Sequence, residues 1–284
     1  MEYADGNCCP SLYRQLFRRW TATLVIIALL GACRENPPSL PMNSPPPTAD
    51  WRHTLPEDTP IAIDHWRYVD DFPKAIAQFD TVFWEPRDTE SLRALIRDTD
   101  LVRDKAVMEI GTGTGLVALC CLQHGARKVI ATDVNPAAIA NAHYNAERLG
   151  LGERLDVRWV DPALPDAYSA LRPDEVFDLI ISNPPWEDQH PNSIADFAFY
   201  DENFALLASI VAGIPRRLDK HGSIFLAYGC RSAIERVHQL AQQRSLIVQV
   251  LDNRDLPDLP EVFLPGMLLQ LQGLQTERES AIAD

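Results

Sequence analysis

The stretch Met108-Glu109-Ile110-Gly111-Thr112-Gly113-Thr114-Gly115-Leu116-Val117 decides how the rest of the chain is read. An apolar run ends in an acid, three glycines follow at alternate positions, and an apolar helical pattern begins. That is the order of a buried strand, a tight turn and a helix start. Glycine has no side chain, so a bulky ligand can approach the backbone. A phosphate loop offers free N–H groups and a positive helix terminus to an anion. Glu109, beside this turn, suits a cationic group instead. The dinucleotide fingerprint G-x-G-x-x-G is not met, because the third glycine falls one residue early, at Gly115. No P-loop Lys-Ser/Thr pair is present either.

A second stretch, Phe177-Asp178-Leu179-Ile180-Ile181-Ser182-Asn183-Pro184-Pro185-Trp186, is another buried-strand pattern, and it stops at two prolines that cannot continue a strand. Together the two runs resemble the class-I S-adenosylmethionine-dependent methyltransferases. More narrowly they resemble the branch whose fourth strand ends in Asn-Pro-Pro-aromatic and which methylates amide or amino nitrogens, including the protein-(glutamine-N5) methyltransferases. The match runs from about Val82 to Gly273. Pro86-Arg87-Asp88-Thr89-Glu90 also resembles that branch's Pro-Arg-x-x-Thr-Glu segment, one residue short. Asp88 or Thr89 can equally be a plain cap for a helix with Leu92, Leu95 and Ile96 on one face.

Between and beyond these motifs, strand and helix patterns alternate. Strands are expected over 128–133, 155–160, 177–182, 223–228, 246–251 and 262–272, and helices over 116–123, 136–149, 197–214 and 233–242. Such alternation predicts an α/β fold with a mostly parallel sheet and helices on both faces, binding at the carboxyl ends of the strands. The resemblance implies more: a Rossmann-like sheet of seven strands, with the last strand inserted antiparallel between its neighbours. It also implies S-adenosylmethionine as cofactor, held by Glu109, Gly111, Thr112, Gly113, Gly115, Asp133, Val134, Asp161 and Asn183. Asp133 stands 22 residues after Gly111, where a carboxylate reaches a ribose diol one strand over; it can also serve as a helix cap, as can Asn135. Asp161 resembles the acid placed near the adenine amino group, yet Asp161-Pro162 also reads as an ordinary turn.

The expected chemistry centres on Asn183, Pro184, Pro185 and Trp186. An amide nitrogen shares its lone pair with its carbonyl, so it needs orientation towards an already activated methyl group. The Asn183 side-chain oxygen and the Pro184 carbonyl can accept its two N–H groups, Pro185 stiffens the corner, and Trp186 can offer a flat face. Trp186 is also readable as a core aromatic.

The chain has 284 residues and a formal net charge of −14. Residues 1–50 sum to zero, with Glu2, Asp5, Glu35 and Asp50 against Arg14, Arg18, Arg19 and Arg34, so the body carries the imbalance. An acidic body disfavours nucleic acid as a partner and favours a protein substrate. Residues 1–33 place arginines before an apolar run of about ten residues ending in Leu30-Gly31-Ala32-Cys33, the layout of an export signal with a lipoprotein-like Cys33. That reading predicts a membrane-anchored lipoprotein; a cytoplasmic protein translated from Met42 is the alternative. Residues 34–60 form a Pro-rich linker, 61–105 an aromatic-rich extension covering the core, 106–273 the methyltransferase domain and 274–284 a tail. The six cysteines contain no C-x-x-C, and the histidines show no metal spacing, so no metal is expected. The function predicted is N-methylation of a protein side-chain amide. An amino-nitrogen methyltransferase of nucleic acid or a small molecule, and an anchored non-catalytic scaffold, are the alternatives.

Overall fold

The computed structural model describes Leu55, Pro56, Thr59 and residues 61–273. The signal-like segment with Cys33, most of the Pro-rich linker and the 274–284 tail lie outside the described residues. Within the described residues, strands and α-helices follow in chain order: β1 (Ile63–Arg67), β2 (Ile76–Phe79), α1 (Glu90–Asp98), β3 (Ala106–Ile110), α2 (Leu116–Gln123), β4 (Lys128–Asp133), α3 (Pro136–Leu149), β5 (Leu155–Trp159), β6 (Phe177–Ser182), α4 (Ala205–Arg217), β7 (Leu218–Cys230), α5 (Arg231–Gln243), β8 (Leu246–Val250) and β9 (Val262–Gly273).

The main sheet has the strand order β5-β4-β3-β6-β7-β9-β8. The pairs from β5 to β7 are parallel, and β9 runs antiparallel to both β7 and β8. The expected sheet is present, with its last strand inserted between its neighbours. Strand β3 lies inside the sheet beside the middle strand β6, and its Val107, Met108 and Ile110 are buried by the layers on both faces. Register puts Met108 opposite Ile130 of β4 and Ile180 of β6, so the glycine turn and the Asn-Pro-Pro corner leave the sheet at the same edge. Helix α3 is bounded by local chemistry: Asn135 caps it by accepting from Ala137 N at 3.0 Å, Pro136 fills the first turn, and Gly150 ends it at φ 72°.

The segment before α1 is more than an aromatic cover. Strands β1 and β2 form an antiparallel hairpin laid along α3. Two fully buried asparagines one helical turn apart on α3 join the two. Asn145 Oδ1 accepts from Ala77 N at 2.7 Å and Asn141 Oδ1 accepts from Phe79 N at 2.8 Å. Both side-chain amides donate to Ala77 O, at 2.9 Å from Asn141 and 2.8 Å from Asn145. Asparagine is a poor helix former, but here it replaces a neighbouring strand for the edge of β2. Asn145 also donates to Thr114 O at 2.9 Å, which ties the hairpin to the glycine turn. Among the described residues no helix is long and apolar enough to cross a membrane.

Asn145→Ala leaves buried backbone groups of Ala77 and Thr114 short of partners, at about 1–3 kcal/mol per unsatisfied group. The variant is expected to lose about 3 kcal/mol of stability, read as a lower urea midpoint by circular dichroism; an unchanged midpoint would show the asparagine bonds to be dispensable.

Candidate active site

The glycine turn is held by two carboxylates at the ends of β3 and β4. Glu109 Oε2 accepts from Thr112 Oγ1 at 2.6 Å and from Ala118 N of α2 at 3.2 Å. Asp133 Oδ2 accepts from Gly113 N at 2.9 Å, and its Oδ1 accepts from Asn135 N at 2.8 Å. Gly111 N and Thr112 N both donate to Thr132 O, at 2.8 and 3.0 Å, and Gly115 N donates to Thr112 O at 2.9 Å. The N–H groups of residues 111, 112, 113 and 115 are therefore engaged within the protein, unlike those of a phosphate cradle. All three glycines have positive φ. At Gly115 a side chain is excluded twice, since φ is +83° and a Cβ there would stand 3.1 Å from Ala142 of α3.

Burial raises both acids. Glu109 is 4% exposed, and desolvation lifts its carboxyl from an ordinary 4.5 to about 8 against the opposing bonds from Thr112 and Ala118. Asp133 is likewise raised by burial, with the Asn135 and Gly113 N–H groups acting in the opposite direction.

The turn and the Asn-Pro-Pro corner line one cavity of about 400 Å³. Glu109, Gly111, Thr112, Gly113, Asp133 and Val134 form one side of it, and Asn183, Pro184 and Pro185 another. Three expected site residues stand outside this lining. Gly115 acts one step back, by the close approach of α2 to α3. Asp161 is exposed and accepts from Ala163 N at 2.9 Å, the ordinary turn rather than a cavity wall, although Val160 and Pro162 on either side do line the cavity. Trp186 is 5% exposed and packs against Gly229 of β7, where no Cβ would fit. The flat face expected of Trp186 is thus turned into the core. Its backbone explains why: Trp186 N and Glu187 N both donate to Phe199 O, at 3.1 and 3.0 Å, and this fixes the chain just after the prolines.

Asn183 stands differently. Its Nδ2 lies 3.5 Å from Asp88 Oδ2, and its Oδ1 is buried with no hydrogen-bond partner. Asp88 is 1% exposed and sits on a 3-10 turn (Pro86–Thr89) whose backbone touches Gly266 of β9. An acceptor on one side of the amide assigns the nitrogen there and leaves the oxygen as a free acceptor.

The remaining wall draws on the aromatic-rich extension and on a segment that was not singled out in the sequence. Phe83 and Trp84 from the hairpin side, and Phe197 and Tyr200 from the segment after the Pro-Pro corner, line the cavity. The helix expected over 197–214 begins later, at Ala205, because the Asp201 carboxylate caps it by accepting from Leu206 N at 2.8 Å and Leu207 N at 3.0 Å. Asn203 and Phe204 break the path with φ of 58° and 51°. Asp201 as a cap is the one signal that reading along the chain could have used.

The family model described as "Methyltransferase small domain" matches residues 80–237, more than half of the chain. The chain belongs to this methyltransferase family. Among curated relatives, the release factor glutamine methyltransferase of Bordetella pertussis is 37% identical over 171 residues, covering 55% of this chain and 58% of that protein. The tRNA1(Val) (adenine(37)-N6)-methyltransferase of Flavobacteriaceae bacterium strain 3519-10 is 36% identical over 118 residues, covering 41% of this chain and 47% of that one. This methyltransferase therefore spans about half the length of these curated relatives. A solved Streptococcus mutans protein, described as a candidate SAM-dependent methyltransferase, superimposes with a TM-score of 0.51 at 14% identity, over 69% of this chain and 52% of that one, which shows the fold alone.

S-adenosylmethionine is the cofactor of this methyltransferase. The cavity fits that group: its turn has few N–H groups to give an anion, its floor carries two acids raised by burial, and its backbone at Gly111 is open to approach. Among the described residues no group of three or more His, Cys, Asp or Glu could hold a metal ion.

Glu109 makes the fold pH-dependent. Its folded pKa is raised, so the fold favours the neutral acid, and that contribution is full below about 4.5 and lost as pH rises through about 8. Glu109→Gln removes the titration. The variant is expected to be more stable than the parent by about 4 kcal/mol at pH 8, on the scale of about 1.4 kcal/mol for each tenfold change in proton affinity, with the difference shrinking towards pH 4.5. Urea midpoints measured across this range check the expectation; parallel profiles would show that Glu109 is ionised in the fold throughout.

Proposed function

We propose that this methyltransferase transfers a methyl group to a side-chain amide nitrogen of a protein. The observation that carries the reading is the buried, unpartnered Oδ1 of Asn183, oriented by Asp88 at the wall of the cofactor cavity. A buried acceptor without a donor carries a desolvation penalty of about 1–3 kcal/mol, which an N–H of the acceptor amide would relieve. The Pro184 carbonyl, in a backbone stiffened by Pro185, is the second acceptor that an NH₂ group requires. Two acceptors fix the plane of the amide and stabilise the positive charge that grows on nitrogen. The cofactor, when bound, supplies a methyl group already activated on a sulfonium.

The other residues take roles in this proposal that their positions support. Glu109, kept neutral by burial in the fold without ligand, would release its proton to balance the positive charge of the donor when the cofactor binds, and its bonds to Thr112 and Ala118 hold the carboxyl group in place. Asp133 keeps lone pairs free after binding Gly113 N and Asn135 N, enough for a ribose diol. Gly111, Thr112, Gly113 and Val134 line the cavity and would carry the nucleoside of the cofactor, while Gly115 sets the turn's shape. Flat contact with the acceptor passes from Trp186 to Tyr200 and Phe197. The relative named for release factors supports a protein acceptor, and the relative named for tRNA adenine supports an amino group of nucleic acid. The acidic body of the chain favours the former. Export through residues 1–33 with an anchor at Cys33 rests on the sequence of that segment, and mass spectrometry of the mature amino terminus decides between it and a start at Met42.

Asn183→Ala is expected to lower kcat at least a hundredfold on the acceptor, the scale seen on removing one stabilising group from a transition state, while the cofactor Kd by calorimetry changes less than threefold. Asp88→Asn, which leaves the Asn183 amide free to turn over, is expected to lower kcat by a smaller factor. Full turnover in Asn183→Ala would remove the assignment.

A further inference from the structure

Among the described residues, every charged side chain lining the cavity is acidic except one histidine, and neither lysine nor arginine lines it. Glu109 and Asp133 belong to the floor beneath the glycine turn. Asp201 is committed to capping α4 through both of its oxygens. Three carboxylates remain at the outer wall: Glu85, Asp166 and Glu202. They come from three separate segments, one before the 3-10 turn at Pro86–Thr89, one after β5 and one after β6. Glu85 Oε1 accepts from Arg87 N at 3.0 Å and Asp166 Oδ1 accepts from Tyr168 N at 2.9 Å, single backbone bonds that leave each carboxylate a further oxygen. The histidine does not reverse the sign, because His190 Nδ1 lies 2.8 Å from Glu202 Oε2 with both side chains more than half exposed. An independent feature marks this same cavity as a place for a donor group: Asn183 lines it and keeps a buried acceptor without a partner.

We infer that the segment recognised here is cationic: the methyl-accepting amide is carried on a protein chain with lysine or arginine flanking it. This rests on the amide reading above and adds the charge of the surrounding chain. A polyphosphate backbone would enter against three carboxylates with no guanidinium or ammonium on the described wall to receive it, whereas nucleic-acid sites carry basic side chains for that purpose. Exposed charge pairs contribute little individually and are screened within about 8 Å at physiological salt. The wall therefore acts mainly on encounter rate and on the choice between partners, where sign complementarity has its largest effect.

The test uses the full chain saturated with S-adenosylhomocysteine and fluorescent peptides of equal length. Each peptide bears one glutamine between glycines, flanked by four lysines or by four glutamates, and a single-stranded oligonucleotide serves as a third probe. Anisotropy at 50 mM salt is expected to show the lysine peptide binding at least tenfold more tightly than the glutamate peptide, the gap narrowing to about threefold or less at 500 mM. The combined variant Glu85→Gln, Asp166→Asn, Glu202→Gln is expected to close the gap at 50 mM while S-adenosylhomocysteine binding persists. Equal affinities, no measurable binding of either peptide, a gap untouched by the combined variant, or tighter binding of the oligonucleotide would each overturn the inference. Methyl transfer is measured separately with S-adenosylmethionine. A preserved charge gap without transfer to either glutamine would sink the amide reading and leave the cationic preference standing.

Discussion

The site depends on two carboxylates, Glu109 buried and Asp133 half-buried, that grip one turn of backbone. Glu109 and Asp133 end neighbouring parallel strands, and the turn between β3 and α2 hangs from both: Thr112 and Ala118 on the first, Gly113 on the second. Parallel register puts Glu109 opposite Ala131, so Asp133 stands two residues further along the neighbouring strand, and both acids fall at the carboxyl edge of the sheet, where the order of a doubly wound fold puts ligands. Two acids so placed oppose the stability of the fold, since burial strips both of water and the charge of Asp133 raises Glu109 further. A protein retains such a strain where a ligand relieves it, and a ligand with positive charge is the kind that does.

The grip also decides what the turn cannot bind. Backbone N–H groups at residues 111, 112, 113 and 115 are satisfied by Thr132, Asp133 and Thr112, so a pyrophosphate would find neither donors nor positive charge. The choice between two uses of a glycine-rich turn therefore comes from the acids and not from the glycines. The turn is supported from behind as well, by Asn145 reaching Thr114 O while holding β2. The hairpin, α3 and the cofactor floor thus share one network of hydrogen bonds, and Phe83 and Trp84 at the cavity wall follow directly from the same hairpin.

Much of this was legible along the chain, for reasons that can be named. Strands β4 and β6 and helix α3 fall where the apolar runs and the Asn-Pro start and Gly150 stop place them, because those signals are local. The floor acids were legible because spacing after a glycine turn reflects the geometry of adjacent parallel strands. What escaped was decided by distant partners. The hairpin at 63–79 is specified by two asparagines more than sixty residues away, and nothing near β2 announces them. Trp186 carries the motif position of a stacking face, but Gly229, on another strand, opens the space that draws its ring inward. Asp88 looks like a helix cap in sequence, and its approach to Asn183 exists only because a turn before α1 rests on Gly266.

These two kinds of residue divide the site into a floor and a mouth with different physics. The floor is built from strand ends and the first turns of helices, held by short bonds within regular structure, and it sets the cofactor. The mouth is built from residues 187–204 together with Phe83, Trp84, Glu85 and Asp166, and the backbone of 187–204 carries two consecutive left-handed residues and closes on itself through Asp201 N donating to Glu187 O at 2.8 Å. Loops of this kind accept sequence change that strands do not. Relatives named for glutamine and for adenine acceptors both match this chain. On the reading proposed above, the charge and shape of that mouth choose the acceptor, and the sign of its wall, not the match of its floor, separates one acceptor class from another.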